Sequence, residues 1–494
     1  MSIPKVMGTE IEYGITVRND RDFDPIASCV LLVNAYREEH ASRILWDYDQ
    51  ENPLADARGF QVDGEKYTPN QQENIARNKT LVNGARFYVD HAHPEYSCPE
   101  VTNVRDLVVH EKAGERVVEL SRQEATTLLP PGAQLLIYKN NSDRKGNSYG
   151  SHENYLVDRR TSFKQIAEHM MSFLVTRQVY CGAGKVGSEN RAQPCDYQLT
   201  QRADFFETEV ALDTMVKRPI INTRDEPHAD REKYRRLHVI VGDSNMSEYT
   251  IYLRNGATAL VLSMIEDGAI KKDLSLRDPV RAIKEISHDP TCRREVAMEN
   301  GKKLTAVQIQ REFLEMALQY ASSRQVDDMT KDVLAKWQYV LDRLERDPME
   351  LSREIDWVVK KALIESFMER KGLDWESPQV QMLDLQYHDT RADKGLYAML
   401  ERQGRVERIV TDAEIAAAVT EPPHDTRAYF RGECLKRYPA HVFGVNWDSI
   451  SFGIGDEPIK RVLMGEPLKG SKAHVEELLA ASPTAADLVR NLRA

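Results

Sequence analysis

The sequence predicts an α+β protein: a mainly antiparallel sheet drawn from its first half, helices from its second, and a small C-terminal unit. Three observations predict this. Strand-length segments in the first half alternate polar and apolar residues, which gives a sheet one covered and one open face. From about residue 305, apolar residues recur at helical spacing. The run Glu421-Pro422-Pro423 then punctuates the chain before a last strand-like stretch and a last helix.

The strand candidates, in order, are residues 5–17, 86–90, 134–140, 152–156, 236–241 and 248–254. In the first, Glu10 and Glu12 share one face while Ile11, Tyr13 and Ile15 share the other. In the second, Arg86, Tyr88 and Asp90 share a face and Phe87 and Val89 pack inward. Arg236, His238 and Ile240 oppose Leu237, Val239 and Val241, and Glu248, Thr250, Tyr252 and Arg254 oppose Tyr249, Ile251 and Leu253. Helices are expected over 25–42 and 162–177. Residues 47–83 are polar and marked by Pro and Asn, and so long a loop inside a domain is usually functional or disordered. Helical spacing covers 305–346 with a break near Asp327-Asp328, then 350–371 and 380–403. Residues 441–452 read as strand and 472–492 as a terminal helix. The expected units are residues 1–423, with 47–83 as a flexible insertion that gates the site, and residues 424–494.

The chain has 494 residues, 41% hydrophobic and 29% charged, enough for a sizeable core under a mixed-charge surface. The net charge of −11 argues against a nucleic-acid partner, because phosphate contacts need basic surface. There is no apolar run of membrane-spanning length. The N-terminus carries no apolar signal region, so a cytoplasmic location is expected. Six scattered cysteines form no CxxC pair and no His/Cys metal spacing.

A cation, a phenol and a carboxylate on one strand face, with Glu95 close behind, build a poor core but a good site for phosphate, metal and proton transfer. Glu10, Glu12, Tyr88, Glu95 and Glu100 offer the hard oxygen donors that Mg²⁺ takes, usually shared with nucleotide phosphates. One alternating Glu pair is commonly just a solvated face; two such strands weigh against that. Asp90 could orient water, act as a base or attack an acyl carbon. In Ser151-His152-Glu153-Asn154-Tyr155, His152 and Asn154 share a face and suit a purine, a ribose or an amide substrate. Arg86 and Arg236, among many arginines, sit on these open faces and suit phosphate or carboxylate. Gly182, Gly184 and Gly187 follow a helix rather than a strand, so the dinucleotide-loop reading fails its context.

Met7-Gly8-Thr9-Glu10-Ile11-Glu12-Tyr13-Gly14, Asn83-Gly84-Ala85-Arg86-Phe87-Tyr88-Val89-Asp90, His93-Pro94-Glu95-Tyr96 and Tyr138-Lys139-Asn140-Asn141-Ser142-Asp143 resemble the Pup ligase/deamidase family. So do Gly146-Asn147-Ser148-Tyr149-Gly150, His152-Glu153-Asn154-Tyr155 and Leu385-Gln386-Tyr387-His388-Asp389. The family is related to glutamine synthetase and the carboxylate–amine ligases. One branch ligates the prokaryotic ubiquitin-like protein Pup to lysines. The other deamidates Pup's C-terminal Gln and cleaves the Pup–lysine isopeptide bond. The insertion at 47–83 and Asp90-His91-Ala92-His93-Pro94-Glu95 are similar to the second branch.

The resemblance implies a glutamine synthetase-like curved sheet with helices on its convex face and a small C-terminal domain. It implies ATP, or ADP plus phosphate, with Mg²⁺, and Pup and pupylated proteins as partners. By motif position it makes Glu10, Tyr88 and Glu95 metal ligands. Arg86 and Ser97 become nucleotide contacts, Trp447 the adenine platform and Asp90 the catalytic carboxylate. Ser97 replaces the threonine of the ligase branch but keeps the hydroxyl. The expected function is an ATP/Mg²⁺-dependent amidohydrolase. The alternatives are a ligase working through a γ-glutamyl phosphate and a non-catalytic Pup-binding module.

Overall fold

A computed structural model describes residues 2–20, 23–37, 44–64, 68–213 and 217–492. Six strands form one antiparallel sheet in the order Tyr234–Val239, Ser151–Asp158, Met7–Glu12, His93–Ser97, Arg86–Asp90, Asn78–Thr80. The alternation read from the sequence decides its faces. Ile11, Phe87, Val89, Tyr96, Tyr155, Val157, Leu237 and Val239 join one apolar core. The helix Val104–Thr127 packs there against the opening strand, and Glu248–Glu266 against Ser151–Asp158. The other face carries the polar residues and is open.

The first expected strand is two strands. Met7–Glu12 stays in the large sheet, while Gly14–Arg18 pairs with Gln134–Tyr138. A side chain at Gly14 would meet the Tyr149 hydroxyl at 2.5 Å, so glycine permits the close crossing at this bend. Residues 248–254 are a correction: they open a buried helix, Glu248–Glu266, capped by Ser247. A helix buried on all sides shows no amphipathic stripe. The polar residues that mimicked strand alternation are satisfied instead. Glu248 accepts from the Ile409 and Val410 amides, and Arg254 donates to the Asp243 carbonyl.

Residues 47–83 are far from structureless. They hold a short 3-10 turn at Tyr48–Gln50, a helix at Gln71–Arg77 and the sheet strand Asn78–Thr80; residues 65–67 lie outside the described ones. Just before them, Leu45–Trp46 pairs in parallel with Val442–Asn446 of the C-terminal sheet. The expected helix over 25–42 spans Pro25–Ala35, and residues 38–42 lie outside the described ones. The second half is helical: Ala306–Ser322 and Asp328–Arg346 fall as spaced, whereas the span 350–371 begins with the 3-10 turn Pro348–Leu351 before Asp356–Lys371, and 380–403 divides into Pro378–Tyr387 and Leu396–Arg402.

A second apolar cluster gathers Phe430, Leu435, Val445, Ile450, Phe452, Leu479 and Leu488, with Ile44 from before the insertion. Its strands Val442–Asn446 and Ser449–Phe452 form a hairpin, and its last helix is two, Lys472–Ala480 and Ala485–Asn491. Pro483 lies between them. Among the described residues no helix is long and apolar enough to cross a membrane.

Candidate active site

Antiparallel register fixes which side chains meet on the open face. Glu10 lies opposite His152 on one side and Ser97 on the other, and Ser97 lies opposite Arg86. Glu12 lies opposite Glu95, and Glu95 opposite Tyr88. These rows form the floor of a cleft of about 1270 Å³. Ten of the twelve nominated residues line it: Glu10, Glu12, Arg86, Tyr88, Asp90, Glu95, Ser97, His152, Arg236 and Trp447. Asn154 sits at its edge, its amide donating to Glu10 Oε1 at 2.8 Å and its carbonyl oxygen 2.8 Å from His238 Nδ1.

Among the described residues, two groups of ligand atoms stand in the cleft. Oxygens of Glu12, Asp90 and Glu95 lie within 4.8 Å of one another, as do donor atoms of Glu10, His152 and His238. Their charge states differ. Burial opposes ionisation of Glu10, but the His152 hydrogen bond at 3.2 Å, His238 and Arg236 hold it well below the usual glutamate value. Burial, then the charges of Asp90, Glu10 and Glu12, push Glu95 well above its usual value. Glu95 Oε1 is buried without a hydrogen-bond partner. An orphaned carboxylate oxygen among crowded acids fits a divalent cation with hard oxygen donors, because the cation would both ligate that oxygen and neutralise the repulsion. Burial and the neighbouring Glu95 and Glu10 raise the Tyr88 phenol well above 10, so it offers a neutral hydroxyl.

Asp90 ends its strand. Burial works against its charge, but the His91 hydrogen bond and nearby His152 and Arg224 outweigh burial and keep it below the usual aspartate value. It is therefore an ionised carboxylate at neutral pH, as a nucleophile or base must be.

The far end of the cleft is cationic and aromatic. The Arg86 guanidinium packs against the Trp46 and Tyr88 rings, 3.9 and 3.8 Å from their centroids. It donates to Asn78 Oδ1 at 3.1 Å and to the Tyr48 hydroxyl at 3.0 Å. A guanidinium packed against two rings and hydrogen-bonded through two of its nitrogens is held in place. Trp447 sets its ring edge-on to Trp46, with centroids 5.3 Å apart.

Glu100 is a correction. It does not join the acids of the cleft. Arg427 Nε donates to its Oε1 at 2.7 Å and Arg431 donates to both oxygens. With both guanidiniums in place its carboxylate has no free charge for a metal, and Arg427 and Arg431 bind a side chain rather than a ligand. Gly182 and Gly184 are packing glycines as well. A Cβ at Gly182 would meet the Leu199 carbonyl at 2.1 Å, and one at Gly184 the Tyr197 hydroxyl at 2.0 Å.

The family model described as Pup-ligase protein matches residues 5–451. The chain belongs to the Pup-ligase family. It is 51% identical over 99% of both chains to the depupylase of Acidothermus cellulolyticus. It is 47% identical, again over 99% of both, to the Pup deamidase/depupylase of Mycolicibacterium smegmatis. The crystal structure of the complex between Pup and its ligase PafA superposes with a TM-score of 0.82 at 33% identity, covering 99% of this chain and 94% of that one. PafA in complex with ADP gives 0.75 at 35% identity, covering 85% and 96%. The α+β fold is thus the one shared by this family.

Several cleft residues were not nominated from the sequence. His238 was visible in its strand's alternation, but a single His on a strand signals little. Trp46, just before the insertion, and Tyr48 and Asn78 within it hold Arg86 and carry no periodic signal. Arg202, Arg218 and Arg224 also line the cleft. Arg202 spends its guanidinium on Ser148 Oγ and the Ile240 and Gly242 carbonyls.

Proposed function

We propose that this chain is a nucleotide-dependent amidohydrolase that converts the C-terminal Gln of Pup to Glu and cleaves the isopeptide bond between Pup and substrate lysines. The observation that carries the reading is whole-length identity of 46–51% to proteins named depupylase or Pup deamidase/depupylase, well above the 33–35% to the ligase PafA. The cleft is built for it. Glu12 and Glu95, with Glu10 and Tyr88 beside them, would hold Mg²⁺, which would lend its charge to phosphate and acyl oxygens. Arg86 and Ser97 bind phosphate, and Trp447 presents an indole face to the adenine. His152, Asn154 and Arg236 fix Glu10 and line the nucleotide site. Asp90, ionised beside His91, His152 and Arg224, attacks the acyl carbon or takes a proton from the attacking water.

Tyr48, Glu51 and Pro53 line the cleft, so the insertion governs access to its nucleotide end. We place the domain boundary at residues 423 and 424, between the two apolar clusters, and the protein in the cytoplasm with its Pup-tagged substrates.

The test is incubation with nucleotide, Mg²⁺ and Pup ending in Gln or in Glu. Ammonia release from the first and release of free lysine side chains from a Pup conjugate are expected. Conjugation of Pup-Glu to lysine would make the chain a ligase instead, and tight Pup binding without turnover would make it a binding module.

A further inference from the structure

The strands Arg86–Asp90 and His93–Ser97 are joined by two residues, His91 and Ala92, with Asp90 paired to His93. His91 has φ +50°, while Ala92 is not among the residues with positive φ. Positive φ at the first central residue alone is the pattern of a hairpin turn in which that position is ordinarily glycine. Here the position holds a histidine, which enters positive φ more readily than most side chains but at a cost that glycine does not bear.

Consecutive residues of a strand point to opposite faces, so the side chains of Asp90 and its successor should not meet. The left-handed turn breaks the alternation and swings the imidazole back. His91 Nδ1 lies 2.9 Å from Asp90 Oδ2. The ring stands at the rim, lining the cleft with 61% of its side chain exposed, so burial does not account for its placement. The other histidine of the motif is occupied elsewhere. His93 Nδ1 is 3.1 Å from the Tyr13 carbonyl oxygen, and its ring stacks on Tyr149 at 4.2 Å. A half-buried aspartate at a strand end would otherwise sample more than one rotamer.

We propose that His91 is a positioning residue for the hydrolysis, its imidazole N–H holding Asp90 Oδ2 so that Oδ1 faces the reacting amide. The proposal rests on the reading of Asp90 given above. A carboxylate free to rotate still lets substrate and nucleotide bind but spends less time in the reactive geometry. The loss then falls on kcat and not on KM.

Three variants separate the ring from the turn. His91→Gly relieves the positive φ and removes the donor. His91→Ala removes the donor and keeps the conformational cost. His91→Asn tolerates positive φ and places an amide N–H where Nδ1 was. With Pup ending in Gln, the Gly and Ala variants should lose about 10- to 100-fold in kcat, with KM and nucleotide affinity unchanged, and Asn should restore most of the rate. An active wild type with full kcat in His91→Gly overturns the proposal alone, as does a loss confined to KM or an Asn variant as slow as Gly. A wild type inert towards both Pup-Gln and a Pup conjugate overturns the functional reading and the proposal with it.

Discussion

Replacing Glu100 by alanine removes the anion from a clamp that joins the end of the sheet to the C-terminal helix Arg427–Arg437. Arg431 is fully buried and Arg427 5% exposed; they reach Glu100 and also the carbonyls of Gly84, Trp447, Met464 and His228. Without Glu100 those carbonyls remain as partners, but two buried positive charges lose their counter-ion. Breaking a buried pair from one side costs about 3–5 kcal/mol. The depressed Glu100 carboxylate gives the same magnitude by a second route. Burial alone would raise the Glu100 pKa, but Arg431 and Arg427 pull it from an ordinary 4.5 down to about 2. At about 1.4 kcal/mol per pH unit that gap is worth about 3 kcal/mol, within the same range. Because the folded value is the lower one, this stability is fully present above pH 4.5 and drains away as pH falls towards 2. Denaturant unfolding of wild type and Glu100→Ala at pH 7 should differ by about 3–5 kcal/mol. The difference should shrink as both are acidified through that window. A variant of wild-type stability whose defect is weakened Mg²⁺ binding would refute the clamp and return Glu100 to the metal.

Asp90→Asn should lower ammonia release from Pup-Gln by about 10³-fold or more while nucleotide binding, followed by calorimetry, stays close to wild type. Trp447→Ala should weaken nucleotide binding by about 10- to 100-fold, the worth of one base–aromatic stack at about 1–3 kcal/mol, with no comparable change in Pup affinity. In Gly150→Ala the new methyl would fall 2.3 Å from His152 Nε2 and 2.7 Å from Glu12 Oε1. Those side-chain ends must move, so turnover should drop at least about tenfold while the unfolding midpoint barely shifts.

Much of this cleft is written in short-range pattern. A strand's side chains alternate by geometry, so Glu10 with Glu12, and Arg86 with Tyr88 and Asp90, could be assigned to common faces from their spacing alone. The resemblance in their motifs added roles. The same rule failed at Glu248–Arg254, where a helix buried all round imitates alternation because no solvent-facing side imposes the helical period. It was also silent for the insertion and the residue before it, where Trp46, Tyr48 and Asn78 reach Arg86 only through tertiary contact. It misplaced Glu100, since a carboxylate next to a nominated strand looks the same in sequence whether its partner is a metal or two arginines more than 300 residues away.

What the sequence by itself determined is therefore the composition of each strand's faces, the succession of elements and the family. What only the tertiary structure decided is which rows stand side by side, because antiparallel register depends on pairing between segments far apart in the chain. It also decided which acids converge and which are neutralised, since charge partners are chosen by distance in space. The turn at His91 lies between the two: its residue is legible in the sequence, but its left-handed backbone and its bond to Asp90 exist only in the folded hairpin.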